Sequence, residues 1–192
     1  LIHGIDHFVG SSAGAITSYL ICIGYDSKDL MDLVTEINLE LMKDITSECI
    51  LGYFNNFGID TGNNIMRIME ILTTKKNLSK DITFQELYKE KKKTLVITGT
   101  NLNLKSVVYF EKEHYPNMKV LEALRISISI PYIFNVCHYE GHSYVDGSIL
   151  SNYPISYFDD LEGVLGFLIE SKPGDSDIKR IDEFTMAIIN CL

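Results

Sequence analysis

Residues 6–17 have the sequence DHFVGSSAGAIT, and the central five residues, GSSAG, match the pattern G-x-S-x-G. The residues before the pattern predict a short strand over residues 6–9, and residues 13–23 predict a helix that ends at Gly24. In this arrangement the central serine lies on a strained turn between strand and helix, with its hydroxyl exposed. Ser12 is therefore the candidate nucleophile.

The positions beside Ser12 have roles of their own in such a turn. Gly10 and Gly14 are expected where a side chain would crowd the turn and the helix that packs on the strand. The helix that follows directs its N-terminus at the reacting atoms, where its dipole and free N–H groups stabilise negative charge. The Ala13 N–H is therefore a candidate oxyanion donor.

Outward from this turn, apolar periodicity predicts helices and short strands in alternation. Helical spacing is found in residues 30–41, 65–72, 120–126 and 178–188. The apolar stripe of the first segment consists of Leu30, Leu33, Val34, Ile37 and Leu41. Strand-like runs lie at residues 95–97, 107–110, 136–139, 143–145 and 164–169. The alternation favours one three-layer α/β domain.

Two shorter signals refine this organisation. Thr83 and Glu86 have the spacing of a capping box, which predicts the start of a helix. Gly141 lies between two strand-like runs and predicts the turn of a hairpin that leads to Asp146.

Composition and charge restrict the class of partner. The chain has 192 residues, 46% of them hydrophobic, and a formal net charge of −9. This length fits one domain, and the negative field would repel phosphates, so we expect no nucleic-acid partner. No apolar run approaches the roughly 18 residues needed to span a bilayer. With no signal-peptide pattern visible before residue 6, we expect a cytoplasmic protein in peripheral contact with membranes.

The cysteines and histidines do not suggest a metal site. The four cysteines, which have neither zinc-site nor disulfide-scaffold spacing, are Cys22, Cys49, Cys137 and Cys191. His138 and His142 are four positions apart, but Gly141 between them places them on opposite strands of the hairpin. No phosphate loop or dinucleotide fingerprint is present. We therefore expect no metal and no cofactor.

A serine nucleophile needs a base, and the residues alone leave two candidates open. None of the five histidines follows Asp146 in the chain. A Ser-His-Asp arrangement can still be assembled from Asp60 or Asp81 with one of His114, His138 and His142. Asp146, in the sequence VDGS, is the other candidate, although an Asp-Gly pair alone is typical of a turn.

Four segments resemble the patatin-like phospholipases and follow the order of that family. They are DHFVGSSAGAIT at residues 6–17, LVITGTNL at residues 95–102, EALRISISIPYIF at residues 122–134 and YVDGSILSNYP at residues 144–154. The family uses a Ser-Asp dyad without histidine. The resemblance therefore implies that Ser12 is the nucleophile and Asp146 its base.

The resemblance also implies a fold and a reaction. The implied fold has three layers, α/β/α, around a mostly parallel central sheet. The implied reaction is metal-independent hydrolysis of phospholipid or other acyl esters through an acyl-enzyme, without a cofactor. The backbone positions implied to support the turn and the oxyanion are Ala13, Gly10, Gly14 and Gly147.

Two features depart from the family pattern. The glycine-rich oxyanion loop lies before the serine motif in the family, and residues 1–7 contain nothing like it. We therefore expect residues 1–192 to form a single patatin-like domain without its N-terminal strand and oxyanion loop. Ser148 stands where the family usually has Gly or Ala. The alternatives are a non-catalytic module that binds lipid or a partner, and an acyltransferase that uses the same residues.

Overall fold

The computed structural model describes residues 4–36, 42–169, 178–179, 183–184 and 187–188. The strands of the described residues are β1 (His7–Gly10), β2 (Gly58–Asp60), β3 (Thr94–Asn101), β4 (Ser106–Phe110), β5 (Tyr132–Phe134), β6 (Cys137–Tyr139) and β7 (His142–Asp146). β1, β3, β4, β6 and β7 form the central sheet. β1 pairs with β3 in parallel, whereas the β3–β4, β3–β7 and β6–β7 pairings are antiparallel. The described sheet is mixed because short turns join β3 to β4 and β6 to β7.

Helices alternate with these strands, and the predicted α/β class is confirmed. The helices are α1 (Ala13–Ile23), α2 (Ser27–Glu36), α3 (Ser47–Leu51), α4 (Tyr53–Asn56), α5 (Asn63–Lys75), α6 (Phe84–Lys91), α7 (Val120–Ser127) and α8 (Ser148–Ser151), followed by a 3-10 turn at Pro154–Tyr157. None of the helices in the described ranges has both the length and the apolar character needed to cross a bilayer.

The core lies between the central sheet and the helices that pack on it. α1 packs on β1 and β3, and α7 packs on β3 and β7. One cluster of buried side chains joins Phe8 of β1, Tyr19 of α1, Phe110 of β4 and Leu124 of α7. α1 ends at Gly24, whose φ of 105° is the left-handed conformation predicted for a helix-terminating glycine. The strand, turn and helix predicted around the serine motif are therefore present in that order.

Two local predictions are confirmed in atomic detail. At the start of α6, Thr83 Oγ1 accepts the Glu86 N–H at 3.3 Å, and Glu86 Oε2 accepts the Thr83 N–H at 2.9 Å. This is the capping box. The predicted hairpin is β6–β7, and its turn residues Glu140 and Gly141 both have positive φ, as a two-residue hairpin turn requires.

The apolar stripe predicted for α2 is confirmed only in part. Leu30 and Leu33 are partly buried against the core cluster, whereas Val34 is exposed. Val34 is turned about 100° around the helix axis from Leu33, so a helix at the edge of the core leaves it in solvent. Ile37 and Leu41 lie outside the described residues.

Residues 52–62, for which the sequence predicts neither helix nor strand, contribute to a second sheet. β2 pairs with β5 in parallel, and Gly58 lies opposite Tyr132. α3 and α4 pack on β2. A Cβ atom at Gly58 would lie 2.2 Å from the carbonyl carbon of Phe134, so this close approach of the two strands requires glycine.

The buried strand predicted at residues 164–169 is wrong. Phe167 is 83% exposed and Ile169 is 90% exposed, and no described strand pairs with this segment. An extended segment becomes a strand only where a neighbour supplies partners for its N–H and C=O groups, which an apolar composition does not ensure. Of the helix predicted over residues 178–188, residues 183–184 and 187–188 are helical, whereas residues 178–179 are not, and Ile181 lies outside the described residues.

Candidate active site

β1 and β7 approach each other along one edge of β3. Gly10 lies opposite Ile97, and Asp146 lies opposite Gly99, while β4 occupies the other edge of β3 at both positions. β1 runs parallel to β3 and β7 runs antiparallel to it, so the carboxyl ends of β1 and β7 face each other. The two ends are two residues of β3 apart, or about 7 Å. The turn after β1 therefore meets the end of β7.

Ser12 and Asp146 are in contact at this meeting point. Ser12 Oγ donates a hydrogen bond to Asp146 Oδ2 at 2.7 Å, although the two residues are 134 positions apart in the chain. Ser12 has a φ of 52°, a positive value that costs a non-glycine residue on the order of 1–3 kcal/mol. The structure thus contains the strained turn that the motif predicts and brings together the two residues predicted to be catalytic.

Asp146 is fully buried, and its second oxygen is also hydrogen-bonded. Asp146 Oδ1 accepts the Ser148 N–H at 2.8 Å and the Ser148 hydroxyl at 2.7 Å. Burial raises the pKa of the Asp146 carboxyl above its ordinary value, and the hydrogen bonds from Ser12 and Ser148 offset part of that rise. The site therefore contains a carboxylate that is a stronger base than an exposed aspartate.

The glycines of the two motifs differ in how tightly they are packed. A Cβ atom at Gly10 would lie 2.4 Å from the Gly14 carbonyl oxygen, and one at Gly147 would lie 2.1 Å from Thr98 Oγ1. Both positions therefore require glycine, as the sequence analysis expected for Gly10. At Gly14 a Cβ atom would meet no atom within 4 Å, so the crowding expected there is not found. Gly14 is exposed in the first turn of α1.

Of two neighbouring backbone N–H groups in the turn, one is hydrogen-bonded within the described part of the protein and the other is not. The Ser12 N–H donates to Ser127 Oγ at 3.0 Å. The Ala13 N–H begins α1 and has no hydrogen-bond acceptor among the described residues. It lies one residue from the candidate nucleophile Ser12, at the positive end of the helix dipole, where a donor could stabilise an oxyanion.

The part of the chain that contains Ser12 and Asp146 matches a known protein family. A family model described as patatin-like phospholipase matches residues 1–159. The chain belongs to the patatin-like phospholipase family.

The chain is also similar to two viral proteins and to one solved structure. The chain is 29% identical to "Probable lipid hydrolase 463L" of Invertebrate iridescent virus 6, over 80% of this chain and 53% of that protein. It is also 29% identical to "Uncharacterized protein R571" of Acanthamoeba polyphaga mimivirus, over 88% of this chain and 56% of that protein. The chain spans about half the length of these curated relatives. The crystal structure of VipD from Legionella pneumophila shares the fold, with a TM-score of 0.55 and 16% identity over 78% of this chain and 41% of that one.

Three serines of the patatin-like site were missed as functional residues by the sequence analysis. The family comparison alone makes Ser148 a substitute for Gly or Ala, yet it donates twice to Asp146. An aspartate that bonds to the backbone two residues later is a common turn, so the Asp-x-Ser spacing was a usable signal. Ser127 and Ser129, at and just after the end of α7, are fully buried beside the dyad. The spacing of these two serines in the sequence does not indicate that they lie beside Ser12 and Asp146.

The histidines do not form the alternative triad in the described residues. His114 Nδ1 contacts Glu111, His138 Nδ1 bonds the Ser143 hydroxyl and His142 Nδ1 bonds the Asn101 side chain. None of these three contacts Ser12, and His3 lies outside the described residues. Asp60 accepts backbone N–H groups and Asp81 accepts from Lys119, so neither orients a histidine. Within the described ranges, no group of three His, Cys, Asp or Glu side chains is placed to bind a metal ion.

Proposed function

We propose that this patatin-like protein hydrolyses acyl esters of lipids, with Ser12 as nucleophile and Asp146 as the side chain that takes its proton. The single observation that carries the proposal is the 2.7 Å hydrogen bond from Ser12 Oγ to Asp146 Oδ2. Two comparisons support the choice of lipid esters. The family is that of the patatin-like phospholipases, and one relative is named as a probable lipid hydrolase.

The burial of Asp146 supports its role as the base. An exposed aspartate is a weak base at neutral pH, and a base works better when its pKa lies closer to the working pH. Burial raises the pKa of Asp146 in this direction. Because only the ionised carboxylate accepts the proton, kcat/KM is expected to rise with pH through that raised pKa and then to level off.

The proposed acylation step uses the contact between Ser12 and Asp146. Ser12 Oγ attacks the ester carbonyl carbon while its proton moves to Asp146 Oδ2. The carbonyl oxygen becomes an oxyanion, and the Ala13 N–H at the N-terminus of α1 stabilises it. When the tetrahedral intermediate collapses, the bond to the alcohol oxygen breaks and the alcohol leaves with the proton from Asp146. The fatty acyl group remains on Ser12.

Deacylation repeats these steps with water. Asp146, again a carboxylate, takes a proton from a water molecule that attacks the acyl carbon. The second tetrahedral intermediate expels Ser12 Oγ, which recovers the proton from Asp146, and the fatty acid leaves. No step requires a histidine, in agreement with the absence of one beside Ser12 in the described residues.

The proposed substrates are phospholipid or lysophospholipid esters, reached by peripheral contact with a membrane. Leu51 and Phe54, on α3 and α4, are more than four-fifths exposed, which supports contact with an apolar surface. The net charge of −9 argues against nucleic acid as a partner. We also propose that the described residues form one patatin-like domain, because one core cluster extends from Phe8 to Tyr144.

The test is covalent labelling combined with turnover. Ser12→Ala is expected to lose at least about 1,000-fold in kcat on p-nitrophenyl esters and on phospholipid vesicles. A fluorophosphonate probe followed by mass spectrometry should modify Ser12. Ser11→Ala is the matched control, because the Ser11 hydroxyl is buried without a hydrogen-bond partner among the described residues. That variant is expected to label at Ser12 as the unmodified protein does.

Two results would contradict the proposal. Unchanged turnover in Ser12→Ala would remove Ser12 from the chemistry. A folded protein that is neither labelled nor active would support the non-catalytic lipid- or partner-binding module, which is favoured by having only the Ala13 N–H as a visible oxyanion donor among the described residues. If turnover occurs, adding an alcohol or a lysolipid acceptor and analysing the products separates hydrolysis from acyl transfer.

A further inference from the structure

The segment of residues 127–129, at the end of α7, is hydrogen-bonded to the backbone of both members of the dyad. The Ser12 N–H donates to Ser127 Oγ at 3.0 Å. The Asp146 N–H donates to the Ser129 carbonyl oxygen at 2.9 Å, and the Gly147 N–H donates to the Ser127 carbonyl oxygen at 3.3 Å. One short segment therefore contacts both motifs, which are 134 positions apart in the chain.

Of these contacts, only the one to Ser12 comes from a side chain. The carbonyl contacts of residues 127 and 129 would exist with any side chain at those positions. Ser127 is fully buried, and its neighbours in the sequence, Ile126 and Ile128, are buried as well. A hydroxyl in such surroundings costs free energy unless it is hydrogen-bonded, and alanine would fill nearly the same volume. The hydroxyl is thus explained by its bond to Ser12 and not by packing.

The Ser12 backbone is also the place where such a bond has a specific effect. Ser12 has a positive φ, and strained residues keep their conformation only where the surroundings hold them. The bond to Ser127 restrains the peptide that enters this turn. It also occupies the Ser12 N–H, so that the neighbouring Ala13 N–H is the one left open beside Oγ.

We propose that Ser127 is a positioning residue that holds the Ser12 turn in the conformation in which Oγ reaches Asp146. This inference rests on the proposed function, because it assigns Ser127 a role in the same serine chemistry. Ser127 touches neither Oγ nor the carboxylate in the structure, so it acts through the backbone of Ser12. Removing it should slow the step that uses Ser12 Oγ without changing how the substrate binds.

The first test compares Ser127→Ala with a matched loss of a buried hydroxyl elsewhere. Ser127→Ala is expected to lower kcat by about 10- to 100-fold, with KM within about twofold, because small misplacements of a nucleophile have effects of this size. The rate of fluorophosphonate labelling should fall by the same factor. Thr73→Val is the control, since Thr73 is fully buried in α5 and bonds Tyr19 and the Met69 carbonyl, away from the dyad. Its labelling rate should stay within about twofold of that of the unmodified protein.

A conservative variant and a measurement on the unmodified protein complete the design. Ser127→Thr keeps the hydroxyl acceptor and should keep the labelling rate. In the unmodified protein, amide hydrogen exchange measured by NMR should show a protected Ser12 N–H and a faster Ala13 N–H, whatever the catalytic activity and whether or not the variants fold.

The outcomes separate this inference from the proposed function. If the unmodified protein labels at Ser12 but folded Ser127→Ala labels equally fast, only the positioning role of Ser127 is wrong. Equal losses of labelling rate in Ser127→Ala and Thr73→Val would mean that the effect comes from a general loss of stability. That result would overturn the positioning role as well. An unprotected Ser12 N–H would remove the hydrogen bond itself. A protected Ser12 N–H in a protein that never labels would instead leave the bond in place and overturn the proposed chemistry.

Discussion

Two regions of this patatin-like chain are built in opposite ways. The dyad junction, made of residues 10–13, 97–99, 127–129 and 146–148, has crowded glycines and hydrogen bonds on both Ser12 and Asp146. The small lobe, made of residues 47–60 and 132–134, exposes large apolar side chains and carries an open depression of about 300 Å³, called the cavity below. This cavity is lined by Ile50, Tyr53, Phe54, Ile59 and Tyr132.

The difference shows which region relies on its surrounding contacts to keep an unfavourable conformation. At the dyad junction, a strained serine and a buried carboxylate are both unfavourable, and only the surrounding contacts make them persist. In the small lobe, the side chains of Leu51 and Phe54 are 84% and 85% exposed, so they add little to stability. Arg125 connects the two regions, because its guanidinium lies over the Phe134 ring, 5.6 Å from the centroid, and donates to the Ser129 hydroxyl at 2.7 Å.

The largest effect is expected from neutralising the carboxylate at the dyad junction. Asp146→Asn should reduce kcat/KM by at least about 1,000-fold, because the amide cannot take the Ser12 proton. The same variant should be at least as stable as the unmodified protein at pH 7, since burial disfavours the charged carboxyl and raises its pKa. Urea denaturation and ester hydrolysis, measured on the same samples, check both statements.

The pH dependence of stability has a definite sign. Because the folded-state pKa of Asp146 is raised, the unmodified protein should gain stability relative to Asp146→Asn as pH falls through that pKa towards the ordinary aspartate value. A difference in unfolding free energy that stays constant over this range would mean that Asp146 is not desolvated in the folded protein.

An intermediate effect is expected from a single methyl group at the serine turn. Gly10→Ala places a Cβ atom 2.6 Å from Ala15 Cα and should lower the free energy of unfolding by about 1–3 kcal/mol. Gly14→Ala is the matched control four residues later. It meets open space in α1 and should leave stability unchanged or raise it by up to about 1 kcal/mol. Thermal denaturation of both variants measures the contrast, and equal losses at the two glycines would refute the close packing of α1 on β1.

The smallest effect is expected in the small lobe. Phe54→Ser should change the free energy of unfolding by no more than about 0.5 kcal/mol and leave hydrolysis of a soluble short-chain ester within about twofold. Phe110→Ala, which removes a fully buried ring from the core, should by contrast cost about 3–5 kcal/mol. A loss above about 1 kcal/mol in Phe54→Ser would show that the small lobe is as constrained as the dyad junction.

Features that depend on a few neighbouring residues were predictable from the sequence. The serine turn between β1 and α1, the capping box of Thr83 and Glu86 and the hairpin turn at Gly141 each depend on backbone preferences within four residues. The prediction failed for residues 164–169 and for Val34 because exposure depends on which other element packs there. The contact of Ser148 with Asp146 had a local signal in the Asp-x-Ser spacing, whereas the contact of Ser127 with Ser12 had none because it joins residues far apart in the chain.

The sequence determined that Ser12 lies on a strained turn at the start of a helix, since glycines and apolar spacing impose that conformation locally. From its local sequence, Asp146 could be either a turn residue or the base for Ser12. Its contact with Ser12 was decided by the pairing of β1 and β7 with the same edge of β3, where their carboxyl ends stop two residues apart. Strand register depends on the packing of the whole sheet, and so does the burial that raises the pKa of Asp146.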